Sequence, residues 1–192
     1  MDQSPSDIAQ DQQNIQAALG GDQDAFRRLV EKYQGYLFNL CWRVTQNRQD
    51  ASDLTQETFL KFYTHLKDYH PGQKLSNWLY TIALNECRKQ LRRRKIVQFF
   101  SLTDEDRVET EAPGLGADQK EAQDQSQRLL GKLVADLPES LRTPFVLRYF
   151  EELNDEAIAQ VTGLSLSNVR VRIHRARHYL WEKHGNLIKE IL

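Results

Sequence analysis

The helical apolar period of this chain stops in its middle. Between Phe99 and Asp124, acidic side chains, Pro113, Gly114 and Gly116 replace any recurring apolar position. A segment of that composition cannot bury enough apolar surface to offset the entropy of ordering it. On both sides of it apolar residues return at steps of three and four, the signature of amphipathic helices. The chain is therefore expected to fold as two helical parts, residues 1–95 and 126–192, joined by a flexible acidic linker over 96–125. No β-alternation of useful length and no internal repeat occurs, so the expected fold class is all-α. At 192 residues the chain suffices for two small cores and excludes a large catalytic barrel.

Charge follows the same division. The first part carries 14 basic and 11 acidic side chains, the middle 2 and 8, and the last 10 and 8, so a net charge of -1 conceals two basic ends around an acidic centre. Cys41 and Cys87 lie on apolar-patterned segments without metal-ligand spacing, which predicts packed thiols in a reducing compartment. Met1 to Gln13 is polar and acidic, and no apolar run approaches the roughly 20 residues of a bilayer span. A cytoplasmic protein with no membrane insertion is expected.

In the first part the spacing predicts a short helix around Ile8 to Leu19, closed by Gly20-Gly21, and a long one from Asp24 to Val44 capped by Asp22 or Asp24. Its stripe is Phe26, Leu29, Val30, Tyr33, Leu37, Leu40, Cys41 and Val44. A third helix runs from about Asp50 to Leu66, Asp68 to Lys74 forms a loop at Pro71-Gly72, and a fourth helix runs from about Ser76 to Arg94. On that last helix Trp78, Thr81, Asn85, Arg88 and Arg92 share one face, while Leu75, Leu79, Ile82, Ala83 and Leu91 serve the other. Aromatic, amide and guanidinium groups together suit stacking on unpaired bases and clamping their backbone. The run Arg88 to Lys95 extends that face toward duplex phosphates. Trp78 taken alone reads as a partly buried core aromatic; its company gives the nucleic-acid reading. The polar face of the preceding helix, Asp53, Gln56, Glu57 and Lys61, suits docking of a partner helix or plain amphipathicity, and the pattern does not separate the two.

In the last part, Leu129, Leu130, Leu133, Val134 and Leu137 resume the helical period, and Pro138 opens a helix toward Phe150 that Pro144 is expected to bend or delay. Asn154 then caps a helix from residue 155 to Thr162-Gly163, with Leu153 and Ile158 as a hydrophobic staple. Ser165 caps a further helix whose inward stripe is Val169, Ile173, Ala176 and Leu180. This is helix, tight turn, helix. The second helix turns outward Ser167, Asn168, Arg170, Val171, His174 and Arg175, side-chain types that read base edges and phosphates in a major groove. A merely solvated face is the bland alternative, but no acidic i,i+4 run neutralises Arg170, Arg172, Arg175 and Arg177.

His174 and His178 are four apart, yet no third ligand accompanies them, so no metal and no cofactor are expected. No Gly-rich phosphate loop or nucleophile motif points to an enzyme. The classes left open by residue pattern are a factor that uses both halves on nucleic acid and a stand-alone helix-turn-helix regulator with a sensory first half.

The order of several short motifs resembles the extracytoplasmic-function class of bacterial sigma-70 factors, which hold the second and fourth sigma regions joined by a linker. The resemblance spans about Asp22 to Lys95 and Leu137 to Leu180. It is carried by Gly21-Asp22 with Ala25-Phe26, by Asp53-Leu54-Thr55-Gln56-Glu57-Thr58-Phe59, and by Trp78-Leu79-Tyr80-Thr81-Ile82-Ala83-Leu84-Asn85. Leu137-Pro138-Glu139, Leu147-Arg148-Tyr149-Phe150 and the Val169 to Arg177 helix complete it. The chain departs from the family pattern at Asn154-Asp155 and at Pro144.

The resemblance implies promoter recognition together with core RNA polymerase. Asp53, Gln56, Glu57, Phe59 and Lys61 would dock on the β′ clamp helices, and the last part would reach the β flap. The Tyr69 to Lys74 loop and the helix after it would recognise the −10 element. A base flipped from the melted strand would enter a pocket near His65, Tyr69, Ile82 and Asn85, with Trp78, Arg88 and Arg92 beside it; flipping costs only a few kcal/mol. Ser165, Ser167, Asn168, Arg170, Val171, His174 and Arg175 would enter the major groove of the −35 element. An anti-sigma protein is the implied regulator.

Overall fold

The computed structural model describes residues 5–101, 131 and 133–185. It is helical, with no strand among the described residues, and the chain divides into two compact units, Met1–Glu111 and Ala112–Leu192. The expected linker beyond Ser101 and the helical start at Ser126 to Leu130 lie outside the described residues.

The first unit begins with α1, Pro5–Leu19, three residues earlier than the apolar period indicated. Gly21, at φ +96, lets the chain leave the helix while the Asp22 N–H returns to the Ala17 carbonyl at 3.0 Å. Asp22 then caps α2, Gln23–Thr45, by accepting from the N–H groups of Asp24 and Ala25 at 2.9 and 3.1 Å. Buried Asp11 ties α1 to α2, accepting from Lys32 Nζ at 2.6 Å and Tyr33 Oη at 2.5 Å. A charge taken out of water needs such partners, and these bonds tie α1 to α2 beside the buried side chain of Ile15.

Helix α3, Arg48–Thr64, is capped by Asn47 and ends two residues short of Leu66, where the chain tightens into a 3-10 turn over Leu66–Asp68. Helix α4 follows as Leu75–Ser101. It overruns the expected end at Arg94 because nothing breaks it: no glycine or proline occurs between Gly72 and Pro113. The first six residues assigned to the linker are therefore helical. Leu75, Leu79, Tyr80, Ala83, Leu84 and Cys87 bury one face of α4 against Leu29, Tyr33, Leu37, Leu40 and Cys41 of α2 and Phe62 of α3. Cys41 and Cys87 are both free and buried; a hydrogen bond from the Cys87 thiol to Cys41, together with burial, holds that thiol well above its ordinary pKa.

Two residues of the expected α2 stripe, Phe26 and Val30, are only half-buried, and Ala25 takes the core position beside them. The same holds for Ile82 of α4, which periodicity assigned to the core face and which opens into a groove. A stripe wider than one neighbour can cover leaves its margin exposed.

In the second unit, helical residues 133–136 lead to α5, Glu139–Tyr149, then α6, Asp155–Thr162, and α7, Leu166–His184. The core joins Leu133, Val134, Phe145, Val146 and Leu147 to Ile158 and Val161 of α6 and to Val169, Ile173, Ala176 and Leu180 of α7. Arg142 donates to the carbonyls of Val134, Ala135 and Leu137 at 3.2, 3.2 and 2.9 Å, so its side chain satisfies acceptors at the end of the segment that leads into α5. Burial lowers the pKa of this guanidinium, opposed by the charge of Glu139.

Pro144 does not delay α5, which starts at Glu139 and carries the proline inside it. Proline lacks the N–H that would bond the carbonyl four residues earlier, here that of Ser140. Arg172 of α7 supplies a donor to that carbonyl, Nη1 to O at 3.2 Å.

Candidate nucleic-acid interface

Three surfaces carry the residues that the sequence singles out, two on the first unit and one on the second.

The first is a groove of about 560 Å³ between the end of α3, the 3-10 turn and the outer face of α4. Trp78, Ile82 and Asn85 line it, with His65 and Asp68 on one side and Arg88 and Arg92 along α4. Trp78 is held edge-on against Phe62, ring centroids 5.5 Å apart, and tilted against Tyr69 at 5.4 Å. The indole is thus both a partly buried aromatic, as its bland reading holds, and a wall of the groove. Tyr69 stands behind it: the ring is buried and the hydroxyl donates to the Gln73 carbonyl at 2.7 Å, pinning the loop. Burial, with the negative charge of Asp11 on α1, raises the Tyr69 pKa, so this donor stays protonated. Arg88 Nη1 donates to Asn85 Oδ1 at 2.8 Å, which leaves the amide nitrogen of Asn85 turned to other partners.

Lys61 belongs to this groove as well. Its Nζ lies 2.7 Å from Glu86 Oε1 and 3.3 Å from Glu57 Oε1, and the same Glu86 oxygen accepts from Lys89 at 2.9 Å. Burial pushes the Glu86 carboxyl up, but the hydrogen bonds from Lys61 and Lys89 outweigh it and leave the carboxyl below its usual range. The Glu86 bond likewise raises Lys61, against a smaller effect of burial. Glu86 carries no helical-stripe signal, and its pairing with Lys61 joins two helices, so sequence reading missed it; only its i,i+3 relation to Lys89 was visible. Of the basic run, Arg94 turns away from the groove to pair with buried Asp50 at 2.7 Å, where Gln90 also donates at 3.1 Å.

The second surface is an apolar groove of about 450 Å³ between α2 and α3, lined by Phe26, Val30, Gln34, Thr55, Gln56, Phe59, Leu60 and Tyr63. Phe26 stacks on Phe62 at 5.4 Å and meets Tyr63 edge-on at 5.0 Å. Leu60 and Tyr63 are 63% and 58% exposed, large apolar groups with no cover. Of the partner-docking residues read from sequence, Gln56 and Phe59 reach this groove and Asp53 and Glu57 lie on the polar side of the same helix, Asp53 accepting from Gln49 at 3.1 Å. Lys61 is the one that the fold carries to the other groove.

The third surface is the outer face of α7. Ser165, Ser167, Asn168, Arg170, Val171, His174 and Arg175 are all exposed, and Ser165 Oγ accepts from the Asn168 N–H at 3.3 Å to fix the start of the helix. Acidic partners for Arg170 come from the helix before it: Arg170 Nε donates to Asp155 Oδ2 at 3.1 Å, and Glu156 lies 4.0 Å from the same guanidinium. Among the described residues no group of three His, Cys, Asp or Glu side chains gathers to hold a metal, and no helix is long and apolar enough to cross a membrane.

The first unit thus presents a groove that combines aromatic and cationic side chains, and the second presents a capped helix-turn-helix. Residues 29–96 match the family Sigma-70 region 2, and residues 127–180 match Sigma-70, region 4. The chain is 32% identical over 192 residues to the RNA polymerase sigma-H factor of Pseudomonas aeruginosa, covering 94% of this chain and 97% of that one. It is 31% identical over 189 residues to the ECF RNA polymerase sigma-E factor of Escherichia coli, covering 93% and 96%. Over 175 residues it is 29% identical to the ECF sigma factor SigW of Bacillus subtilis, covering 86% and 92%. The fold resembles that of CnrH in its complex with the cytosolic domain of CnrY, at TM-score 0.62 and 24% identity over 91% of this chain and 94% of that one. It also resembles the sigma factor RpoE of Bartonella quintana, solved with the anti-sigma factor NepR, at TM-score 0.64 and 23% identity over 82% and 94%. The chain belongs to the extracytoplasmic-function subfamily of sigma-70 RNA polymerase sigma factors.

Proposed function

We propose that the groove beside Trp78 captures an unpaired base of the −10 element while α7 reads the −35 element in the major groove, on core polymerase docked against α2 and α3. The observation that carries this reading is the composition of the groove. An aromatic ring, an aliphatic side chain and an amide line it, and Lys61, Arg88, Lys89 and Arg92 border it. A base can stack and hydrogen-bond within it while its phosphates meet the cations, the combination by which single strands are held. Flipping is favoured where the base is already unpaired, so capture also separates the strands. The chemistry of transcription belongs to polymerase, and binding energy alone is this chain's contribution.

The apolar α2–α3 groove, with exposed Leu60 and Tyr63 beside Asp53, Gln56 and Glu57, fits a helical partner that buries the apolar groups and pairs with the acids. The β′ clamp helices of polymerase are that partner in this reading, with the second unit set on the β flap. We propose in addition that an anti-sigma protein competes for these surfaces, as the partner of the Bartonella quintana relative suggests. Residues 1–95 act as region 2, 126–192 as region 4, and 96–125 as the connection, all in the cytoplasm where promoter DNA lies.

The test is transcription in vitro with purified core polymerase and this chain on a genomic-fragment library, with transcript 5′ ends mapped. Core-dependent starts downstream of a shared −35/−10 pair are expected. DNA binding with no core-dependent start would replace this reading with that of a stand-alone regulator.

A further inference from the structure

We propose that Glu86 is a specificity-determining residue of the Trp78 groove: an internal anion that occupies Lys61 and Lys89, so that a nucleic-acid backbone must displace it before using either cation. The inference rests on the single-strand reading of that groove and adds to it a residue that discriminates without touching a base. One oxygen of Glu86 accepts from both ammonium groups, Lys61 at 2.7 Å from α3 and Lys89 at 2.9 Å from its own helix. Its side chain is only 11% exposed, whereas Lys89 is 56% exposed and Lys61 31%. The carboxylate is therefore screened less by solvent than either ammonium group; Lys61 also meets Glu57 at 3.3 Å, and Lys89 is the more open of the two cations.

A strand entering the groove brings phosphates toward the same two cations. Each phosphate–lysine contact forms only as a Glu86–lysine contact weakens, and the carboxylate repels whatever phosphate approaches. Binding that relies on backbone charge alone is thereby penalised. Binding that adds a stacked base on Trp78 and a hydrogen bond to Asn85 outweighs the same penalty, because those contacts do not depend on the lysines. Discrimination between a correct and an incorrect strand then comes from an unfavourable term common to both, which only the correct one surmounts.

The test uses the full chain and its Glu86→Gln variant, which keeps the shape and removes the charge, with a short fluorescein-labelled oligothymidine as probe over a salt series. The inference expects the variant to bind the probe about threefold to tenfold more tightly at low salt, with the log–log salt slope steeper by about one. Adding Lys61→Ala to the variant should remove most of that gain. With core polymerase, the preference for a mapped promoter over the same fragment with a shuffled −10 element should fall. If folded Glu86→Gln protein, checked by circular dichroism, binds the probe equally or more weakly, Glu86 is only a brace between α3 and α4 and the proposal is overturned. If Trp78→Ala and Arg92→Ala in the parent chain, each shown folded by circular dichroism, leave probe binding unchanged, the groove reading itself fails and takes the proposal with it.

Discussion

Arg172 of α7 donates to the carbonyl of Ser140, the acceptor that Pro144 deprives of its helical partner. The defect in α5 is thus met by a side chain from α7, which fixes how α7 lies across α5. Arg172→Ala should cost about 0.5–1 kcal/mol of the second unit's stability, the net worth of one solvent-accessible hydrogen bond. In a Pro144→Ala background the restored N–H serves Ser140, and the cost of Arg172→Ala should largely vanish. Urea unfolding of the four proteins of this double-mutant cycle checks the coupling; additive costs would show that Arg172 does not compensate the proline.

The Arg170–Asp155 pair leads to a second expectation. With Nε engaged at 3.1 Å, the guanidinium is held in one orientation on the exposed face of α7. Arg170→Ala should lower affinity for −35 duplex by about 1–3 kcal/mol, the range of a specific base contact. Asp155→Ala should lower it by less, about 1 kcal/mol, because the contact survives without its support. Anisotropy titrations with matched and mutated −35 duplexes measure both. Equal loss on the two duplexes would show that Arg170 meets phosphate and not a base edge.

Trp78 is expected to separate strand capture from stability. Trp78→Ala removes a stacking surface worth about 1–3 kcal/mol per base and should abolish most open-complex formation. It also removes packing on Phe62 and Tyr69, so the first unit should melt earlier. Trp78→Phe keeps an aromatic face and should recover stability more completely than melting. Permanganate reactivity of −10 thymines, read beside thermal melts, distinguishes the two effects; parallel recovery would make Trp78 a packing residue only.

Much of this was legible in the sequence because it rests on local signals. The caps at Asp22, Asn154 and Ser165 each fall where a short polar side chain precedes an apolar period. The buried stripe of α7 also follows from spacing alone. What could not be read depends on which helices meet. Nothing in the order of residues says that Lys61 would face Glu86, that Arg94 would be taken by Asp50, or that Asp155 would hold Arg170. The same limit explains Phe26, Val30 and Ile82: a period marks apolar positions but not how wide a face the neighbouring helix covers. Proline chemistry marks Pro144 as a helix defect, but the donor that serves the Ser140 carbonyl comes from Arg172, far along the chain, and no local pattern announces it.

The turn of the helix-turn-helix depends on Gly163, which ends α6 at φ +71 with its N–H on the Ala159 carbonyl at 2.9 Å. A Cβ there meets nothing within 4 Å, so the constraint is conformational and not steric crowding. Gly163→Ala should destabilise the second unit by about 1 kcal/mol and Gly163→Asn by less, since asparagine tolerates the left-handed region better. Chemical denaturation of both variants tests the order; equal losses would point to a cause other than backbone conformation.

The Glu86 cluster makes stability of the first unit depend on pH in a stated direction. The Glu86 carboxyl lies below its ordinary range in the folded chain, so its contribution is fully present above the unfolded carboxyl value of about 4.3 and is lost as pH falls through the folded value. Lys61 is raised, so its contribution is fully present below the unfolded lysine value of about 10.4 and is lost as pH rises through the folded one. Between these limits both groups are charged and the bridge is intact. The melting temperature of the parent chain should therefore exceed that of Glu86→Gln by a constant margin across neutral pH. The margin should narrow on the acid side as the carboxyl takes up its proton, and on the alkaline side as Lys61 gives one up. A margin independent of pH from acid to alkali would mean that the Glu86 carboxylate stabilises the fold by shape and hydrogen bonding alone, with its charge irrelevant.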